Sequence, residues 1–222
     1  MARLSNGNEP GVSRVGHAAL ARLLAEAGRD FYRRGWVSGT SGNFSAVASA
    51  EPLRLSITAS GADKGALTPR HILQIDERGR VTRGRGRPSD EALLHLAVVR
   101  ARGAGAVLHT HSVWGTLLSD AFAAEGRLLI EGFEMLKGLA GVRTHEHREA
   151  LPVIENSQDM GALALALEGA LASHADAHGV LLRRHGLYTW GCDLAEAKRH
   201  VEVLEFLLEV TGREYCARGA GG

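Results

Sequence analysis

The chain has 222 residues, 45% apolar and 23% charged, with a formal net charge of +1. That length suffices for one sizeable core without forcing a second domain, and the composition is that of an ordinary globular protein. A near-neutral balance gives no electrostatic case for a nucleic-acid partner. Cys192 and Cys216 lack a CxxC spacing and make no disulfide framework, which fits a reducing compartment. Residues 1–14 carry no apolar core of signal-peptide length, and the most apolar stretch, Gly161 to Ala172, is short and broken by Glu168. The expectation is a cytoplasmic protein with no membrane partner.

Residues 1–12 are polar, carry Gly, Asn and Pro, and read as a disordered tail, leaving 13–222 as one domain. Ser13 is placed to cap a helix whose apolar face is Val15, Ala18, Ala19, Leu23, Ala27 and Phe31, with Gly35 ending it. A donor-rich loop, Thr40-Ser41-Gly42-Asn43, leads into a strand from Phe44. Leu53–Thr58 alternates as a strand, and His71–Asp76 is a third. Arg78, Arg80, Arg83, Arg85 and Arg87 alternate with glycines in a run that reads as a solvated loop, with attraction of a small anion as the alternative. Pro88-Ser89-Asp90-Glu91 predicts a helix start capped by Ser89 and running to about Arg102.

Ala104–Thr110 is an apolar strand ending in His109-Thr110-His111, and a short helix follows from Ser112. Arg127–Ile130 reads as a brief strand, Phe133–Leu139 as a short helix, and 141–157 as a long connection. Gln158–Ser173 is helical. Gly179–Arg183 and Leu187–Trp190 form a strand pair around His185-Gly186. Asp193 with Glu196 resembles a capping box for a last helix, stopped by Gly212. The pattern is α/β, a single domain with helices flanking a central sheet.

Eleven histidines prompt a search for metal-ligand spacing. On a strand, His109 and His111 point to one face, so both imidazoles can reach one zinc ion; the alternative is two unrelated histidines at a strand end. His185, in a tight Arg-His-Gly turn, is the candidate third ligand, or else a satisfied turn residue. His145 and His147 form a second HxH, but among Glu146, Arg148 and Glu149 they read as a solvated face. Ser41-Gly42-Asn43 and Ser60-Gly61 have the chemistry of an anion cradle, since glycine lets backbone N–H groups approach a phosphate; ordinary turns look the same. Ser89 at a helix N-terminus can add a phosphate contact, and Lys64 can pair with phosphate or lie on the surface. Glu91 is either a proton shuttle or a helix-start residue, and Glu134 either a shuttle or an exposed acid.

In order along the chain, Ser38-Gly39-Thr40-Ser41-Gly42-Asn43-Phe44-Ser45, Ile57-Thr58-Ala59-Ser60-Gly61, Arg87-Pro88-Ser89-Asp90-Glu91, Ala106-Val107-Leu108-His109-Thr110-His111-Ser112 and Arg184-His185-Gly186 resemble the class II aldolase/adducin family over residues 13–212. Ser60–Gly65, Phe133–Gly138, Thr144–Arg148, Leu151-Pro152 and Asn156–Asp159 look most like its sugar-phosphate dehydratase members. The resemblance implies a three-layer fold with a mainly antiparallel sheet. It implies one zinc ion per subunit on His109, His111 and His185, and a small phosphorylated ketose as substrate. Its phosphate would be held by Gly42, Asn43, Ser60, Gly61, Ser89 and Lys64. Glu134 would be the acid/base, with Glu91 sharing the proton work. The aldolases of the family read Ser-Ser-Glu where this chain has Ser89-Asp90-Glu91, which leaves Glu91 open as ligand, base or helix-start residue. A homotetramer with its site between subunits is implied as well. The alternatives are an aldolase or epimerase of the same family, or a non-catalytic adducin-like domain; the three retained histidines speak against the last.

Overall fold

A computed structural model describes residues 16–219. The first helix, α1 (His17–Arg33), buries Leu20, Leu24, Ala27 and Phe31, the spacing of an amphipathic helix. Ser13, Val15 and the expected 1–12 tail lie outside the described residues; Gly16 occupies the cap position. Strands β1 (Asn43–Ala50), β2 (Leu53–Thr58), β3 (Ile72–Asp76) and β4 (Val81–Arg83) form an antiparallel meander. Of the arginine run, Arg78, Arg80, Arg85 and Arg87 lie in exposed turns and loops, as the solvated-loop reading expects, and only Arg83 falls in a strand, β4. Its three residues are all exposed, so as a charged sheet edge it carries no apolar alternation.

After α2 (Ala92–Arg102) come β5 (Ala106–Thr110), α3 (Val113–Ala121), β6 (Arg127–Glu131), a 3-10 turn (Glu134–Gly138) and β7 (Arg148–Ile154). Helix α4 (Met160–Ser173), β8 (Gly179–Leu182), β9 (Gly186–Gly191) and α5 (Leu194–Gly219) complete the described chain. The nine strands order as β4-β3-β2-β1-β5-β9-β8-β7-β6, and only β7–β8 is parallel. Strand β5 shows how the layers divide: Val107 packs into the core under α2 and α4, whereas Ala106 and Leu108 pack into the core under α1 and the start of α5. A third cluster joins α3 and α5 to β6 and the 3-10 turn. The result is the expected three-layer α/β fold with a mainly antiparallel sheet. None of the described helices is long and apolar enough to cross a membrane.

Three local expectations are corrected. Ser89 does not cap α2: the helix starts at Ala92, and Ser89 Oγ instead accepts from the Glu91 N–H at 3.3 Å in the turn before it. The physical reason is a bridge between Ala59 and Pro88, with Ser60 N–H donating to Arg87 O at 2.9 Å, which holds the entering chain extended. Gly212 does not end α5. It is buried under Trp114, where a Cβ would come within 2.1 Å of the ring, so its lack of a side chain serves helix–helix approach. Strand β7 lies inside the segment expected to be a connection; its alternation was masked because Glu149, a charged residue, points inward and is 1% exposed.

Candidate metal centre and active-site cavity

His109 is the penultimate residue of β5 and is fully buried. Its ring stacks on Tyr188 of β9, centroids 3.9 Å apart and planes 14° from parallel. Its Nδ1 lies 3.0 Å from Leu187 O. A carbonyl can only accept, so Nδ1 carries the proton and Nε2 is left with a bare lone pair. That Nε2 is 2.7 Å from His111 Nε2 and 3.3 Å from His185 Nε2, and the last two are 3.0 Å apart. Two nitrogen ligands of a tetrahedral zinc ion stand about 3.3 Å apart. Three imidazole nitrogens converging at such separations repel one another unless a cation or protons lie between them. Burial holds His109 well below the usual histidine range and His111 at about 4, which disfavours protons. The donor set therefore suits a divalent metal.

Glu91 completes this set: its Oε1 is 3.2 Å from His185 Nε2 and its Oε2 is 3.8 Å from His109 Nε2. Burial by itself would raise the Glu91 carboxyl. The hydrogen bonds to His185 and the Asn43 amide outweigh it and hold the group well below the usual carboxylate range. Asn43 Nδ2 donates to Glu91 Oε2, and Asn43 Oδ1 accepts from His95 Nε2. His95 Nδ1 then accepts from the Ser45 hydroxyl at 2.7 Å. His95 is buried, and burial lowers it to about 4, so it stays neutral and this relay keeps one direction. Asn43 thus orients Glu91 with its amide while also lining the cavity.

Close backbone approach brings the histidines together. A Cβ on Gly186 would lie 1.9 Å from Thr110 O, and one on Gly42, whose φ is +74°, would lie 2.7 Å from His109 O. The turn before His185 places Arg184 at φ 53°. Helix α3 holds that turn: Ser119 Oγ accepts from the Arg184 N–H at 3.0 Å, and Thr116 Oγ1 donates to His185 O at 3.1 Å.

A cavity opens beside the cluster, and Gly42, Asn43, Ser60, Gly61, Lys64 and Ser89 all line it together with Glu91, His111 and His185. Lys64 is not a surface lysine. It is 1% exposed, and its Nζ donates to Thr40 O at 2.8 Å and Ala62 O at 2.9 Å. An ammonium has three N–H groups, so one remains for a ligand. Burial lowers Lys64 to about 8 against the opposing charges of Asp63 and Glu91. Asn156, Gln158 and Met160 also line the cavity and were not singled out as site residues, although Asn156 and Gln158 fall in a stretch that carries the family resemblance.

Glu134 is not brought to the cluster within the chain. It does not line the cavity, its side chain is 73% exposed, and its carboxylate pairs with Lys137, which lowers it below the usual carboxylate range. The His145/His147 reading is half corrected. His145 is exposed, but His147 bonds Glu149 at 2.9 Å in a second, separate cluster.

Residues 22–211 match the family model described as the class II aldolase and adducin N-terminal domain. A methylthioribulose-1-phosphate dehydratase from Methylococcus capsulatus is 46% identical over 194 residues, 87% of this chain and 93% of that protein. One from Sorangium cellulosum is 41% identical over 214 residues, covering 96% and 97%. The structure of L-fuculose-1-phosphate aldolase from Thermus thermophilus superposes with a TM-score of 0.71 at 26% identity, covering 91% of this chain and 98% of that one.

Proposed function

Because the chain belongs to the class II aldolase and adducin family, we propose that it is a zinc-dependent hydro-lyase acting on 5-methylthioribulose 1-phosphate. The product is 5-methylthio-2,3-dioxopentyl phosphate, and the setting is methionine salvage in the cytoplasm. The observation that carries this reading is the near full-length identity to proteins named methylthioribulose-1-phosphate dehydratase. The cavity chemistry supports it: a converging three-histidine donor set stands beside a buried lysine and two glycine-containing loops.

His109, His111 and His185 hold the metal, with Glu91 beside them. When bound, zinc supplies Lewis acidity at the substrate's ketone. Gly42, Ser60, Gly61 and Ser89 bind the phosphate through backbone and hydroxyl donors, and Lys64 contributes its free N–H and charge. Asn43 keeps Glu91 oriented. Met160, an apolar side chain in a polar cavity, packs against the methylthio group. The reaction removes the proton on C3 and the hydroxyl on C4, leaving an enol whose tautomerisation gives the 2,3-diketone. Glu134 moves the proton to the departing hydroxyl, and Glu91 shares the proton work at C3. Glu134 serves the cavity of a neighbouring subunit in a homotetramer, as family resemblance implies for a site between subunits.

The test is to incubate zinc-loaded protein with 5-methylthioribulose 1-phosphate and follow the phosphorylated product by mass. Loss of one water, abolished by a chelator, is the expected result. Cleavage to dihydroxyacetone phosphate would assign the chain to the aldolases, and an unchanged substrate would overturn the dehydratase reading.

A further inference from the structure

A second cluster of metal-ligating side chains lies away from the active-site cavity. His147, just before β7, and Glu149, within it, are two residues apart and share a face. His178 immediately precedes β8, the parallel neighbour of β7. His147 Nε2 and His178 Nδ1 each lie 2.9 Å from the same oxygen, Glu149 Oε2. The three donor atoms are within 4.8 Å of one another, and none of these residues lines the active-site cavity.

The hydrogen-bond inventory shows where a cation would sit. His178 Nε2 is 2.8 Å from Ala140 O, so that nitrogen carries the proton. Against the opposing effect of burial, the Glu149 carboxylate beside it raises His178 above the usual histidine range, so with no metal bound a proton on Nδ1 is donated to Glu149 Oε2. The carboxylate cannot turn away, because its other oxygen, Oε1, accepts from the His178 N–H at 2.8 Å. A divalent cation can take the place of that proton among the three donor atoms, and Ala140 O on the far nitrogen of His178 is the outer partner that a metal-bound imidazole takes. His200, whose ring centroid is 5.2 Å from that of His178, is not a ligand. Its Nδ1 donates to Trp190 O at 2.7 Å and its Nε2 accepts from the Ala140 N–H at 3.0 Å, so both nitrogens are satisfied in the neutral form.

We propose that His147, Glu149 and His178 form a second divalent-metal site of the zinc class, structural in role, which clasps the start of β7 to the start of β8. Two imidazoles and a carboxylate are a ligand set that zinc accepts. The clasp has mechanical work to do there. The β7–β8 register runs only through Val153–Leu181 and Ile154–Leu182, and towards the strand starts the Glu149 carboxylate stands in for the backbone ladder. A surface groove lined by His147, His178 and Glu196 reaches the cluster, giving the ion an entry path and water for a fourth position.

The test is a metal count. Protein stripped by a chelator is reloaded with zinc chloride, desalted, and its zinc measured by mass spectrometry. Two zinc ions per chain are expected in the native protein, and one in each of His111→Ala, His147→Ala and His178→Ala. His178→Ala removes a largely buried ring, so His147→Ala, whose ring is partly exposed, is the milder variant, and circular dichroism checks the fold of both. Folded His147→Ala and His178→Ala proteins that hold as much zinc as the native chain would overturn the proposal, as would a single native zinc that His111→Ala abolishes. A single zinc that survives His111→Ala but not His147→Ala would support this site and overturn the active-site reading instead.

Discussion

Glu205 on α5 is buried, 2% exposed, behind Thr110, the residue between the two histidines at the end of β5. Burial pushes its carboxyl from the ordinary 4.5 up to about 7, although bonds from the Ser112 and Thr110 hydroxyls pull the other way. Such a rise corresponds to about 3 kcal/mol of folding free energy. The folded-state value is raised, so this contribution is fully present below pH 4.5 and is lost as pH rises to 7 and beyond. Above pH 7 the folded chain carries a buried carboxylate that the unfolded chain would leave in water. Glu205→Gln keeps the shape and an oxygen for the hydroxyls but cannot ionise. It is expected to exceed the native protein in stability by ~3 kcal/mol at pH 8.5 and to differ little at pH 4.5. Urea unfolding at fixed protein concentration, with chelator present so that metal linkage does not enter, measures both differences. All other titrating groups are common to the two proteins, so the pH-dependent part of their difference belongs to Glu205. A native-minus-variant difference that is the same at both pH values would refute the reasoning.

Glu134→Gln and His111→Ala should each lose at least ~10²-fold in rate alone, yet subunits mixed by unfolding and refolding together should regain activity, since a cavity then draws an intact metal set from one chain and an intact Glu134 from the other. If mixtures stay inactive, Glu134 acts within its own chain or not at all. Lys64→Met should raise KM for the phosphorylated substrate by about 10- to 100-fold, the scale of one charge-assisted hydrogen bond. In the native enzyme kcat/KM should fall as pH rises past about 8, where Lys64 loses its proton; a flat profile from pH 7 to 9 would remove Lys64 from substrate binding. Gly212→Ala should destabilise by about 1–3 kcal/mol, because its Cβ would meet Trp114 at 2.1 Å; an unchanged melting temperature would show that α3 and α5 separate without cost.

Several parts of the fold and site were legible as local pattern. Strand β5 reads as an apolar run, and the two-residue spacing of His109 and His111 places both on one face because strand side chains alternate. The glycine-containing loops at Gly42 and Gly61 read as donor-rich turns, and both line the cavity. Local pattern failed where packing reverses the usual meaning of a residue. Glu149 made β7 look like a connection because an inward-facing acid breaks the apolar alternation. Gly212 looked like a helix stop, although its role is to admit an indole ring. Lys64 carries no local mark of burial, because the carbonyls of Thr40 and Ala62 that hold it become partners only in the folded loops.

By itself the sequence determined the α/β class, the strand carrying two histidines on one face, the family and several of the residues that line the cavity. Only the tertiary structure brings His185 onto the His109–His111 pair, because the pairing of β5 with β9 sets Thr110 opposite Leu187 and brings together imidazoles 74 residues apart. It alone joined His147 to Glu149 and His178, and left Glu134 outside its own chain's cavity. The physical reason is range. Side-chain periodicity records which neighbours along the chain share a face. Which distant faces meet depends on strand register and helix packing, and these are settled by the summed burial of the whole core.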